Sequence, residues 1–183
     1  MKKVIISLIF LLSTIGLYAL SYSPDVTLSS GGTLTYFEPE IDSESRFRLG
    51  VNANAYLTPV AFVAGNDIRI SFPIGVEYVS RTRVIERSFI LPRLRYELDA
   101  KVDLFITNHI ALSFATGVGL THYYDTNGFN LYFAFETGPM IMLGNYVSMS
   151  IPVKAILAQN SVELEPRIAI SVYPFKIKEE AKR

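Results

Sequence analysis

The sequence predicts an all-β chain, eight antiparallel strands connected up and down and closed into a transmembrane β-barrel. Three observations lead there. The first is the stretch Ile90–Leu104. Ile90, Pro92, Leu94, Tyr96, Leu98, Ala100, Val102 and Leu104 alternate with Arg93, Arg95, Glu97, Asp99, Lys101 and Asp103. A strict period of two puts one apolar and one ionic face on an extended strand, whereas a 3.6-residue period would scatter the charges around a helix. The second is composition: the chain is 50% hydrophobic and 13% aromatic. Yet beyond residue 21 no apolar run approaches the ~20 residues of a spanning helix. The third is that the same alternation recurs in eight segments separated by short turns. An even count lets the first and last strands pair antiparallel, and in lipid a sheet must close because an open edge leaves amides unpaired.

The amino terminus reads as a secretory signal peptide over residues 1–21. Lys2 and Lys3 precede the apolar core Val4–Leu12, and the small residues Ala19 and Ser21 stand at a cleavage position. The barrel is then expected over residues 22–175, with a short charged periplasmic tail over 176–183. With no cysteine, a lipoprotein anchor, a disulfide framework and thiolate metal sites are excluded. Seventeen basic residues balance seventeen acidic ones, so no broad basic surface invites nucleic acid.

Taken in order, the first strand is expected over Val26–Tyr36, followed by the acidic loop Glu38–Ser45. The second is expected over Arg46–Leu57, and Thr58–Asp67 reads as a long connection containing Pro59 and a Gly65-Asn66-Asp67 turn. Ile68–Ser80 forms the third strand and Arg81–Arg87 a charged tip. Ile90–Leu104 is the fourth, and Thr107–His109 turns the chain. Ile110–Tyr124 and Phe129–Leu143 are the fifth and sixth, joined at Asp125–Gly128. Val147–Ala158 and Val162–Pro174 complete the set, with turns at Gly144-Asn145 and Gln159-Asn160.

In a membrane the apolar faces meet lipid and the polar faces meet inside. The polar faces carry Arg46, Arg48, Arg69, Arg93, Arg95, Lys101, Lys154 and Arg167 against Glu77, Glu97, Asp99, Asp103, Glu136, Glu163 and Glu165. An eight-stranded barrel is just wide enough for side chains to fill, so near-balanced charges are expected to form a salt-bridged interior. Five prolines, Pro73, Pro92, Pro139, Pro152 and Pro166, fall inside expected strands, each removing a ladder donor. Bulges or rim positions are expected there. Aromatics near strand ends suggest two interfacial girdles: Tyr36, Phe37, Phe47, Tyr123, Tyr124 and Phe129 at one end, Tyr56, Phe105, Tyr146, Tyr173 and Phe175 at the other.

These features, with the Gly-rich strand GVGLTHYY and the motifs SFPIGVEY, ILPRLRY and SIPVKAI, resemble the small bacterial outer-membrane β-barrels of the OmpA/OmpX-like class. The resemblance covers the whole chain after the signal peptide. It implies residence in the outer membrane, contact with its lipids, and insertion by the barrel-assembly machinery, which reads an aromatic carboxy-terminal strand. Tyr173 and Phe175 fit that signal, but they are out of phase with Ile168, Ile170 and Val172, so a phase switch at Pro174 is one way to accommodate them. The expected function is structural or surface-interacting and non-enzymatic. Arg81, Arg83, Glu86 and Arg87 on the protruding third hairpin are candidate surface contacts. The alternative is a narrow channel for small solutes or hydrophobic ligands, like OmpW-type barrels. A membrane-embedded enzyme would need a histidine with a serine or carboxylate in reach at a strand end; His109 lies in a turn on the periplasmic side, and His122 is phased outward at an interface with no serine at the H-x-S offset. No catalytic residue, cofactor or metal ligand is assigned. A soluble β-sandwich or lipocalin-like barrel, with the apolar faces turned inward, is the alternative fold.

Overall fold

The computed structural model describes residues 20–37, 47–65, 67–83, 89–123, 128–159 and 161–175. The expected signal-peptide features at residues 1–19, the tail at 176–183, and Arg46, Glu86 and Arg87 lie outside the described residues. Among the described residues the chain is all strand and turn. The strands are β1 (Leu20–Tyr22), β2 (Asp25–Phe37), β3 (Phe47–Ala64), β4 (Ile68–Arg83) and β5 (Phe89–Phe105). They continue as β6 (Ile110–Tyr123), β7 (Gly128–Met142), β8 (Val147–Ser150), β9 (Val153–Ala158) and β10 (Ser161–Val172).

These ten segments make eight barrel strands. β1 and β2 both lie along β3, Leu20–Tyr22 opposite Phe62–Ala64 and Asp25–Tyr36 opposite Phe47–Thr58. They are one strand interrupted at Ser23-Pro24, where the Ser23 amide donates to the Ala61 carbonyl at 2.9 Å. β8 and β9 both lie between β7 and β10 and are one strand broken at Ile151-Pro152. Successive strands pair antiparallel from β2 to β10, and β10 returns to pair with β2 from Ser161↔Phe37 to Val172↔Val26. The sheet closes, so the backbone's donors and acceptors are met inside the wall, as hydrocarbon requires.

The side chains obey one alternation throughout. On β7, Leu131, Phe133 and Phe135 face out while Tyr132 and Ala134 are buried. On β4, Ile68, Ile70, Phe72, Ile74, Val76 and Tyr78 face out while Arg69, Ser71 and Glu77 are buried. The outer surface is thus an apolar belt and the inside is polar, the reverse of a soluble sandwich. The apolar run Ile68–Tyr78, at ~3.3 Å per residue and a ~40° tilt, stands about 25 Å tall, the height of an outer-membrane apolar band. Two of the three short turns at one end use glycines at positive φ, Gly65 at 62° and Gly144 at 130°. The turn around Thr107–His109 completes this short-turn end; the hairpins β2–β3, β4–β5, β6–β7 and β9–β10 mark the opposite, long-hairpin end.

Several expectations need correction. The connection read over Thr58–Asp67 is strand as far as Ala64. Val60–Ala64 pair with Ile68–Phe72, and a register shift between Leu57 and Val60 absorbs Pro59 opposite Pro73. The first strand begins before Val26, bringing in Asp25. A second register shift, between Val79 and Arg81, falls at Leu91-Pro92. Pro152 breaks its strand outright. Pro139 and Pro166 sit in register and face outward. Room is made beside two of these prolines by glycine: a Cβ on Gly31 would lie 2.0 Å from the Pro166 carbonyl oxygen, and one on Gly138 would lie 2.6 Å from Pro152 Cα. Tyr56, Phe105 and Tyr173 are not girdle residues; all three are buried inside the barrel. At the short-turn end the exposed aromatics are Tyr22, Phe62, Tyr146 and Phe175. Pro174 does switch the phase, so that Tyr173 points in while Phe175 points out and meets Tyr22 at 6.3 Å between ring centroids.

Candidate functional site: the ionic interior

Every strand contributes polar groups to the lumen, and three layers stack along the axis. At the short-turn end Val63, Phe105, Ala111, Met140, Met142 and Tyr173 form an apolar collar. Odd and even positions near these strand ends continue the inward phase, so the collar arises where the inward residues change from charged to apolar.

Above the collar lies a tier built on Arg69. It stands directly opposite Asp103 in the β4–β5 ladder, and its Nη1 donates to Asp103 Oδ2 at 3.1 Å. Its Nη2 donates to the Ser23 carbonyl at 2.9 Å and pairs with Asp25, two strands away on β2. The guanidinium also sits 5.2 Å from the Tyr173 ring centroid, a cation–π contact that caps the collar. Asp103 further accepts from Ser113 Oγ at 2.5 Å and faces Lys101 Nζ at 3.5 Å. Asp25 lies one residue before the strand expected from Val26, and its shared phase with Thr27, Ser29 and Thr33 is the sequence signal that places it in the lumen.

The larger tier lies toward the long-hairpin end. Glu77 and Arg95 are direct cross-strand partners, 3.2 Å apart at Nη1–Oε2. Arg95 also reaches across the lumen to β10 on the opposite wall, donating to Glu165 Oε1 at 2.6 Å and to Glu163. Glu163 is shared with Arg93. From β10, Arg167 donates to Glu77 Oε1 at 2.8 Å, pairs with Glu165, and faces Glu136 at 3.5 Å. From β9, Lys154 pairs with Glu97 and donates to Tyr56 Oη at 3.1 Å. Tyr132 Oη donates to Glu97 Oε2 at 2.7 Å. Two glycines give the tyrosines their places: a Cβ on Gly75 would fall 2.2 Å from the Tyr56 ring, and one on Gly119 would fall 2.3 Å from the Tyr132 ring.

Between the tiers is a cavity of about 30 Å³, bordered by Asp25, Lys101, Asp99, Glu136 and small residues such as Ala115, Ser150 and Ala169. Gly117, on the neighbouring strand, leaves the space that the Asp99 carboxylate fills. Of the charges named from the sequence, Arg69, Glu77, Arg93, Arg95, Glu97, Asp103, Lys154, Glu163, Glu165 and Arg167 are buried in the two tiers. Arg48, Asp99, Lys101 and Glu136 are half-buried in the lumen. Arg81 and Arg83 lie on β4 at its long-hairpin end. His109 is in a turn at the short-turn end; His122 lies at the other, stacked on Phe129 at 4.8 Å.

A closed eight-stranded barrel with lipid-facing hydrocarbon and a side-chain-filled lumen defines the small outer-membrane β-barrels, and this chain has that fold. No protein-family model matches the sequence, and no curated protein does. Solved structures do match. Neisserial surface protein A is similar with a TM-score of 0.56 at 12% identity, over 84% of this chain and 98% of that one. Ail, the attachment invasion locus protein of Yersinia pestis, solved in complex with the heparin analogue sucrose octasulfate, is similar with a TM-score of 0.51 at 9% identity, over 82% of this chain and 98% of that one. At these identities the likeness speaks for the fold. It shows that this chain shares the eight-stranded barrel fold of these two proteins.

Proposed function

We propose that the protein is a non-enzymatic outer-membrane barrel whose ionic interior is structure rather than a conduit, and that what it recognises is met at its surface. The observation that carries this reading is Arg95. A side chain rooted in β5 is bonded to Glu163 and Glu165 on the opposite wall, so the lumen is bridged across its full width. An ion entering this tier would have to separate buried, mutually paired charges, which costs several kcal/mol per ion. The test is single-channel recording of the refolded chain in a planar bilayer. The expected result is a folded, inserted and electrically silent protein; discrete, salt-dependent steps would overturn the reading.

The channel alternative draws on the cavity between the tiers, but its charged border suits no hydrophobic ligand. For surface contact the candidate is the β4–β5 hairpin with Arg81, Arg83, Glu86 and Arg87, whose net positive charge suits an anionic partner such as a lipid headgroup or a sulfated glycan. That a structurally similar barrel has been solved with a heparin analogue lends the second some support. Retention on a heparin resin checks it: Arg81→Gln with Arg83→Gln and Arg87→Gln is expected to lower the salt needed for elution, and unchanged elution would remove this hairpin from consideration. Outer-membrane lipids surround the apolar belt in this reading, and outward-facing Phe175 is the residue offered to the assembly machinery.

A further inference from the structure

We propose that Asn52 is the clasp of the closing seam: from β3 it supplies the hydrogen-bond donor that Pro166 cannot give to β2, and the wall opens laterally at this point when the clasp is removed.

The direction of the missing bond follows from the ladder. In an antiparallel strand the N–H and C=O of one residue point to the same neighbour, and those of the next residue point to the other. The Arg167 amide donates to the Pro152 carbonyl at 2.9 Å, so Arg167 faces the strand formed by β8 and β9. Pro166, one residue earlier, therefore faces β2. Between the pairs Leu164↔Leu34 and Arg167↔Gly31 its position is opposite Gly32. A residue with an amide hydrogen would donate to the Gly32 carbonyl there; proline has none. Asn52 Nδ2 donates to that carbonyl instead, at 3.2 Å. Asn52 is 4% exposed and stands directly opposite Gly31, where no side chain blocks its reach. Its Nδ2 also donates to Thr33 Oγ1 at 3.1 Å, and Thr33 Oγ1 donates to Glu165 Oε1 on β10 at 3.4 Å. The amide is turned donor-first although its buried Oδ1 then has no partner among the described residues. Without it the Gly32 carbonyl would be an orphan acceptor in a wall that lipid surrounds.

The seam lies at one end of a weak band. The Pro139 carbonyl accepts from the Ile151 amide at 3.1 Å, so Pro139 faces the β8–β9 strand; the Pro152 carbonyl accepts from Arg167, so Pro152 faces β10. Three successive strand boundaries, β7 to β8–β9, β8–β9 to β10, and β10 to β2, thus each lack a ladder donor. All three gaps start from the stretch of wall between the level of Thr137, Val153 and Pro166 and that of Met140, Ser150 and Ala169. Little packs behind this stretch, since Ser150, Pro152 and Ala169 border the inner cavity. Sections with few bonds and few contacts open at the lowest free energy.

Hydrogen exchange followed by NMR on the refolded protein in lipid nanodiscs tests the clasp, read at the seam amides of Ser30, Gly32 and Ile168. Asn52→Ala is expected to accelerate their exchange about tenfold, the scale of one lost hydrogen bond at a locally opening site, and to leave the amides of β5 and β6 unchanged. Asn52→Leu keeps the side-chain volume without the donor, serves if the alanine chain does not fold, and should give the same acceleration. Pro166→Ala returns a main-chain donor to β10, and in that background Asn52→Ala should no longer accelerate the seam. Unchanged seam rates in Asn52→Ala and Asn52→Leu, an equal acceleration in β5 and β6, or the same acceleration with and without Pro166→Ala would each overturn the proposal.

Discussion

Lys154 shows what a single residue does in this lumen. Its ammonium is 1% exposed, pairs with Glu97, lies 4.0 Å from Glu77 and donates to Tyr56. Changing Lys154 to Met leaves Glu97 buried without its cation, and removing one partner of a buried pair costs about 3–5 kcal/mol. Urea unfolding in lipid vesicles checks this. The double change Lys154→Met with Glu97→Leu is expected to recover much of the loss, since a buried pair exchanged whole for apolar groups is often neutral. At Gly119 the limit is space. An added Cβ would meet the Tyr132 ring at 2.3 Å. Gly119→Ala is therefore expected to destabilise by about 1–3 kcal/mol, the usual cost of overpacking, and to release the Tyr132 hydroxyl from Glu97. The charges were legible as a set because a period of two needs only the sequence. Their partners were not, because Arg95 meets Glu165 across seventy residues of chain, and nothing local encodes which wall faces which.

At the level of the strand, the alternation groups the residues that share a face, and the structure keeps those groupings along β4, β5, β6 and β7. The breaks were harder to read. Pro59 suggested the end of a strand, yet the strand continues to Ala64 because a bulge takes the extra residue and Val60–Ala64 have β4 to pair with. Nearness to strand ends suggests a girdle for Tyr56, Phe105 and Tyr173, but their phase puts them inside, where the structure has them. Closure itself depends on a close approach of β2 to β10. Gly31 stands directly opposite Arg167, and a Cβ there would lie 2.0 Å from the Pro166 carbonyl oxygen. Gly31→Val is expected to stop the first and last strands from joining, seen as loss of the compact, fast-migrating band of unheated barrel on a gel. Ser30→Val, on the outward face one residue away, should leave that band intact.

At the scale of the whole molecule, the account rests on inverted polarity: hydrocarbon outside, paired charge within, and no free sheet edge between them. The composition pointed this way without deciding it, because a soluble sandwich with solvated charges has the same alternation. Which face is in was decided by closure, as only a closed eight-stranded wall puts Arg69, Arg95 and Arg167 beyond the reach of solvent. A charge placed on the wrong side should be costly. Leu131→Arg, on the outward face of β7, is expected to destabilise by up to about 2–4 kcal/mol in vesicles, depending on its depth in the bilayer. The most direct test is a scan of the cysteine-free chain along β5. Single cysteines at positions 94 to 104 would carry a fluorophore, with the barrel refolded in vesicles whose acyl chains carry a bromine quencher. The account expects quenching at 94, 96, 98, 100, 102 and 104 and none at the positions between. Shielded even positions with water-exposed odd ones would contradict it and return the chain to a soluble fold.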